Sequence, residues 1–162
     1  MAWWDRLDRR QPERALRLAA QAGLQAQAHA TVADLPYGAK KRLELAMALA
    51  GLPEAGAKTV ANNGTDPGPS LLLLDEPAAG LAMAERADMM ALVRQVAAQG
   101  VTVLYTEHNM DAVFGVADRV LVLMQGRLVA DGTPEAVAQN PQVRERYLGL
   151  DFDMKDLQHA GS

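Results

Sequence analysis

The chain has 162 residues, enough for one ordinary domain and too few for two large ones. Hydrophobic residues make up 49% and charged residues 22%, which excludes a wholly disordered chain. The absence of cysteine excludes disulfide scaffolds, Cys-ligated zinc and iron–sulfur clusters, and the net charge of -4 argues against a strongly nucleic-acid-binding domain. Aromatics are only 4%, so the core must be aliphatic. No stretch approaches the about 18 apolar residues of a membrane span, and Met1-Ala2-Trp3-Trp4-Asp5-Arg6 lacks a secretory apolar region. Ala15, Leu16, Leu18, Ala19 and Ala22 predict a helix from about Pro12 to Gln21, with Gly23 as a stop. A second helix is predicted from Tyr37 to Ala50, with Leu43, Ala46, Met47 and Ala50 on its apolar face.

Residues 51–70 hold Pro53, Pro67, Pro69 and four glycines, and read as a long, mobile loop, most simply a tolerated surface insertion. Leu71-Leu72-Leu73-Leu74 then predicts a strand buried on both faces, ended by Asp75-Glu76-Pro77. A helix follows from about Met83 to Gln99, with Ala87, Met90, Ala91, Val93 and Ala97 broadly on one side. Val101–Thr106 is a second strand, so residues 71–106 form one βαβ unit. Beyond it come a short helix from Met110 to about Val116 and strands Arg119–Met124 and Arg127–Ala130, joined by a tight turn at Gln125-Gly126. Thr133-Pro134-Glu135 opens a short helix, Asn140-Pro141 opens a last one to about Leu148, and the tail from Asp151 is expected to fray.

In an open α/β sheet, ligands bind at the carboxyl ends of the strands. One predicted strand delivers Asp75 and Glu76 there, and the next delivers Glu107 and His108. An apolar run followed by Asp-Glu has the shape of a Walker B element: one carboxylate can hold Mg²⁺ among its waters, and the next can orient or deprotonate a water. A strand that merely ends in a solvated acidic pair is the plainer alternative. His108 alone is weak evidence, His29 and His159 read as ordinary surface residues, and no histidine pair is spaced for a metal. Leu35-Pro36-Tyr37-Gly38 places a glycine at the opening of a helix, where free amides and the dipole favour an anion.

The order of these elements resembles an ATP-binding subunit of the ABC-transporter family. The wording of Leu35–Gly38, Leu71–Leu81, Thr106–Val113, Asp118–Val137 and Asn140–Leu150 is similar to the branch that takes up branched-chain amino acids. The resemblance covers nearly all of residues 12–150 except the 51–70 loop. It implies an α/β fold: the C-terminal part of a P-loop NTPase (RecA-like) parallel sheet, with a partial helical subdomain at residues 1–50, a core half at 71–150 and a tail at 151–162. It implies ATP and Mg as cofactors. Asp75 would hold Mg through water, Glu76 would be the catalytic base and His108 the γ-phosphate switch. Leu35, Pro36, Tyr37 and Gly38 would be the signature motif facing the partner's nucleotide, and Ala79, Gly80, Leu81 and Ala82 the D-loop. It implies a second ATP-binding subunit and membrane permease subunits as partners, with the chain peripheral at the cytoplasmic face of the membrane and not spanning it.

The sequence departs from the family's pattern in one large respect: it contains no G-x-x-x-x-G-K-[ST]. Its Gly56-Ala57-Lys58-Thr59 run follows the signature segment and has no strand before it, so it does not read as a phosphate loop. Pro36 stands at the signature serine position, Lys40 where glutamine is common, and Ala82 where the D-loop usually carries Asp or Asn. The expectation is a truncated subunit that is inactive alone. The alternative is a non-hydrolytic module that docks on a permease or completes a partner's site in trans. An unrelated hydrolase using Glu76 and His108 lacks a nucleophile motif such as G-x-S-x-G.

Overall fold

The computed structural model describes residues 12–52 and 70–148. The predicted 51–70 loop (but for its ends) and the tail from Asp151 lie outside the described residues. The chain divides into two compact units, one reaching Thr106 and the other starting at Glu107.

In the first unit, helix α1 (Pro12–Gln21) ends as expected at Gly23, whose φ of +68° is a left-handed conformation that lets the Leu24 amide turn back to the Ala19 carbonyl at 2.7 Å. Two single 3₁₀ turns, Gln25–Gln27 and Val32–Asp34, lead to helix α2 (Tyr37–Ala50). The two helices bury Ala22, Leu24, Leu35, Ala39 and Ala46, with Leu18, Ala19 and Leu43 packed alongside. The apolar face of α2 differs from the one predicted. Its buried positions are Gly38, Ala39, Leu45, Ala46 and Leu49, while Met47 and Ala50 are exposed. Positions 38, 45 and 49 share one stripe of a 3.6-residue helix, and Met47 lies well round from it.

Strands β1 (Leu71–Asp75) and β2 (Thr102–Thr106) pair in parallel, in register from Leu71 opposite Thr102 to Asp75 opposite Thr106. Helix α3 (Met83–Ala98) connects them and packs on β2. Its buried side chains are Met89, Met90, Val93 and Val96, while Ala87, Ala91 and Ala97 are exposed, a correction to the predicted face. A methyl group offers little area to remove from water, so the larger Met and Val side chains decide which stripe turns inward.

The sheet itself departs from the expectation of two buried faces. Leu72 is 4% exposed, but Leu71, Leu73 and Leu104 are 54%, 65% and 51% exposed. Successive strand residues point to opposite faces, so Leu72, Leu74, Val103 and Tyr105 form the covered face. Leu71, Leu73, Asp75, Thr102, Leu104 and Thr106 form the other, which is exposed from end to end.

In the second unit, helix α4 (Met110–Phe114) is capped by Asn109, whose Oδ1 accepts from the Ala112 amide at 3.0 Å. Strands β3 (Val120–Met124) and β4 (Arg127–Gly132) form an antiparallel hairpin with a bulge at Val122/Leu123. Met124 pairs with Arg127, leaving the predicted two-residue turn with φ of +49° at Gln125 and +76° at Gly126, the two positive values of a type I′ turn. Arg119 makes a bidentate pair with Asp131, both bonds at 2.7 Å. The guanidinium's hydrogen bonds, and then its charge, hold the Asp131 carboxyl below its ordinary pKa. Thr133 and Asn140 cap the predicted helices α5 (Pro134–Ala138) and α6 (Pro141–Val143), and a π-helical turn spans Arg144–Leu148. Phe114, Val120, Val137, Ala138 and Val143 make this unit's core. No helix among the described residues is long and apolar enough to cross a membrane.

Candidate functional site

The parallel register brings Asp75 level with Thr106 at the carboxyl ends of β1 and β2. The Thr106 hydroxyl donates to Asp75 Oδ1. The same Thr106 also accepts the Glu76 amide, at 3.1 Å on its carbonyl and 3.2 Å on Oγ1. Asp75 is on the exposed sheet face and keeps a carboxylate oxygen beyond the one Thr106 holds. A single hard oxygen donor beside a hydroxyl suits a cation such as Mg²⁺, which retains several waters.

Glu76 does not continue the strand. Its φ is +43°, a left-handed value uncommon for a residue with a Cβ and costing on the order of 1–3 kcal/mol. The turn is fixed on both sides. The Glu76 amide is tied to Thr106, and its carbonyl accepts from the Ala79 amide at 3.1 Å. Pro77 and Ala78 are buried behind it. The two carboxylates thus leave the backbone differently: Asp75 follows the strand's alternation, and Glu76 is re-aimed by its backbone.

The structure also brings the Leu35–Gly38 and Ala79–Ala82 segments together. Leu35 is buried, Pro36 exposed, and Gly38 buried at the opening of α2. The Tyr37 hydroxyl donates to the Ala79 carbonyl at 3.2 Å. Gly80 has φ +73°, and a Cβ there would come within 3.1 Å of the Tyr37 ring. A Cβ on Gly38 would collide with Glu85 Oε1. The other oxygen of that carboxylate, Oε2, accepts the Ala82 amide at 3.2 Å. Ala82 has no acceptor to return, so Glu85 supplies half of a capping box at the start of α3.

His108 opens the second unit, two residues past the end of β2, and is exposed; Glu107 is half-buried. The second unit also has a cavity of 570 Å³ beside Leu123, Met124, Arg127, Arg146 and Tyr147, which none of the predicted site residues lines. No group of three or more His, Asp or Glu capable of holding a metal occurs among the described residues. Sequence reasoning missed Thr106, the Tyr37 hydroxyl and Glu85 as parts of these clusters. Only Glu85 left a local sign, a glutamate three residues after the residue that precedes a helix, Ala82.

Solved structures are similar to this chain in fold. An ATP-binding cassette of an ABC transporter in its ADP conformation superposes with a TM-score of 0.66 at 27% identity, over 85% of this chain and 49% of that one. A nucleotide-free ATP-binding cassette superposes with the same score at 24% identity, over 92% of this chain and 57% of that one. The fold is therefore that of part of an ATP-binding cassette, a P-loop NTPase fold. In sequence, the chain is 37% identical to the high-affinity branched-chain amino acid transport ATP-binding protein BraF of Pseudomonas aeruginosa, over 75% of this chain and 42% of that protein. It is 36% identical to LivG of Escherichia coli K12, a protein of the same description, over 78% of this chain and 44% of that one. Residues 127–153 match the family described as branched-chain amino acid ATP-binding cassette transporter. The chain is related to the ATP-binding subunits of ABC transporters in their branched-chain amino acid branch, and it spans less than half the length of these relatives, matching their C-terminal portion.

Proposed function

We propose that this chain provides the hydrolytic half of an ATP-binding cassette serving a branched-chain amino acid transporter, and that it works only when a phosphate-binding half completes the site. The observation that carries this is Glu76, held left-handed directly behind Asp75 at the end of a parallel strand. Strain of that kind persists where the surrounding structure imposes it, and it clusters where a side chain must be aimed.

In this reading Asp75 would hold Mg²⁺, with Thr106 fixing the carboxylate's orientation. When bound, Mg²⁺ would supply positive charge toward the transferring phosphoryl group. Glu76 orients the attacking water and accepts its proton. His108 contacts the γ-phosphate, Leu35, Pro36, Tyr37 and Gly38 face the nucleotide held by a second ATP-binding subunit, and Ala79–Ala82 form the D-loop at that interface. The described parts of 1–50 would serve as a partial helical subdomain and those of 71–150 as the core half. The partners are a second cassette and permease subunits, with this chain at the cytoplasmic face of the membrane.

A second reading is a non-hydrolytic module that docks on a permease or completes a partner's site; within these 162 residues no G-x-x-x-x-G-K-[ST] occurs. The backbone amides and lysine of such a loop supply most phosphate binding. Equilibrium titration with labelled ATP separates the two once a phosphate-loop half from a close relative is present. The first reading expects turnover that disappears in Glu76→Gln while ATP binding persists. The second expects binding with no turnover in any variant.

A further inference from the structure

We propose that Tyr37 and Glu85 form an interlock that makes the Ala79–Ala82 turn follow the conformation of the Leu35–Gly38 segment. Both are positioning residues. The inference adds to the function proposed above a coupling between its two interface segments, and its structural test does not depend on nucleotide.

Two contacts carry it, and each joins segments more than 40 residues apart in sequence. The first is the Tyr37 hydroxyl donating to the Ala79 carbonyl at 3.2 Å, with the ring over Gly80. Gly80 fits on two counts: its φ of +73° is strained for any side chain, and a Cβ would enter the ring's van der Waals envelope at 3.1 Å. The second is the Glu85 carboxylate, one oxygen against Gly38 and the other accepting the Ala82 amide at 3.2 Å. The turn is thus gripped at both ends, Ala79 by residue 37 and Ala82 through the carboxylate that abuts residue 38. Inside it, the backbone supplies Ala79 to Glu76 at 3.1 Å and Leu81 to Ala78 at 3.3 Å. A displacement of Tyr37-Gly38 therefore moves both anchors at once, and through the Ala79 amide it reaches the carbonyl of Glu76.

The sequence had supplied another reason for Gly38: a glycine at a helix opening lets an anion come close. In this chain the group standing against Gly38 is the chain's own Glu85 carboxylate. An anion arriving at that helix start would meet it, which is the physical route by which occupancy of one segment would be felt in the other.

Hydrogen exchange on the full-length chain, read by mass spectrometry over peptides covering 77–83 and 88–97, tests the coupling. Tyr37→Phe removes one hydrogen bond from an exposed ring and leaves the fold in place, so it is the primary variant. We expect exchange in 77–83 to rise at least about threefold, the change given by roughly 0.7 kcal/mol, with 88–97 unchanged. Gly38→Ala, which must push Glu85 aside, should raise exchange in the same peptide. Glu85→Gln, which can still accept the Ala82 amide, should restore near-native protection where Glu85→Ala does not. Unchanged exchange in 77–83 for Tyr37→Phe overturns the interlock, as does a rise spread equally over 88–97. Should the chain prove never to support ATP hydrolysis, these exchange results stand unaffected, so failure of the functional reading and of the interlock are told apart.

Discussion

The exposed face of the β1–β2 sheet predicts a contrast between neighbouring leucines. Leu72 is 4% exposed and Leu73 65% exposed, one residue apart on the same strand. Truncating a buried leucine to alanine costs about 3 kcal/mol, from lost transfer energy and the cavity left behind. Full burial of a leucine side chain is worth about 1.5–3 kcal/mol, and Leu73 has lost only about a third of its exposure, so Leu73→Ala should cost under about 1 kcal/mol and leave no cavity. Urea titrations of the chain alone, followed by far-ultraviolet circular dichroism, should show this difference in midpoint at equal slope. In the presence of a complementary phosphate-loop half, the order should change. If that half covers Leu71, Leu73 and Leu104, Leu73→Ala should weaken association by about 2 kcal/mol, or about 30-fold in Kd. Equal destabilisation of the isolated chain by Leu72→Ala and Leu73→Ala would overturn this expectation, because it would mean that the second face is already covered.

Three further outcomes are expected. Glu76→Asn should stabilise the isolated chain by about 0.5–1 kcal/mol in thermal unfolding, since asparagine enters the left-handed region more readily; a destabilisation would show that the Glu76 side chain holds the turn rather than being aimed by it. Gln125→Asn should stabilise the hairpin of the second unit by a similar amount, about 0.5–1 kcal/mol, because asparagine is favoured at the first central position of a type I′ turn, and a lowered midpoint would count against that turn type. Asp131 has a folded-state pKa below its unfolded value, so its contribution is present above about pH 4 and is lost as the pH falls through the depressed pKa. Asp131→Asn should therefore flatten the acid limb of stability against pH, an effect that shrinks in high salt, and an unchanged limb would place the pair outside the folding equilibrium.

The features legible in the sequence were those that local chemistry decides. Asn109, Thr133 and Asn140 cap helices because a short polar side chain reaches a free amide two or three residues on, and Gln125-Gly126 turns because it separates two apolar runs by two residues. The Asp75-Glu76 pair was visible as an apolar strand ending in carboxylates. What was not legible depends on partners distant in sequence. Four leucines in a row say that β1 is apolar, but whether one or both faces are covered depends on what layers lie against it. Likewise Thr106 becomes the partner of Asp75 only once the parallel register is set, and Tyr37 meets Ala79 across 42 residues. On α3 the alanines completed a helical pattern, yet they bury too little area to compete with Met89, Met90, Val93 and Val96.

The proposed division of labour gives Asp75 and Glu76 separate roles in one hydrolytic site that another half must complete. It is tested most directly by adding the phosphate-loop half of a close relative to this chain and measuring Mg-ATP binding and turnover for the wild type, Asp75→Ala and Glu76→Gln. Turnover is expected only in the mixture, lost by at least about 100-fold in Glu76→Gln with binding intact, with weakened Mg-dependent binding in Asp75→Ala. Equal, mild losses in both variants, tracking stability and leaving binding and turnover inseparable, would contradict it and make the two carboxylates structural.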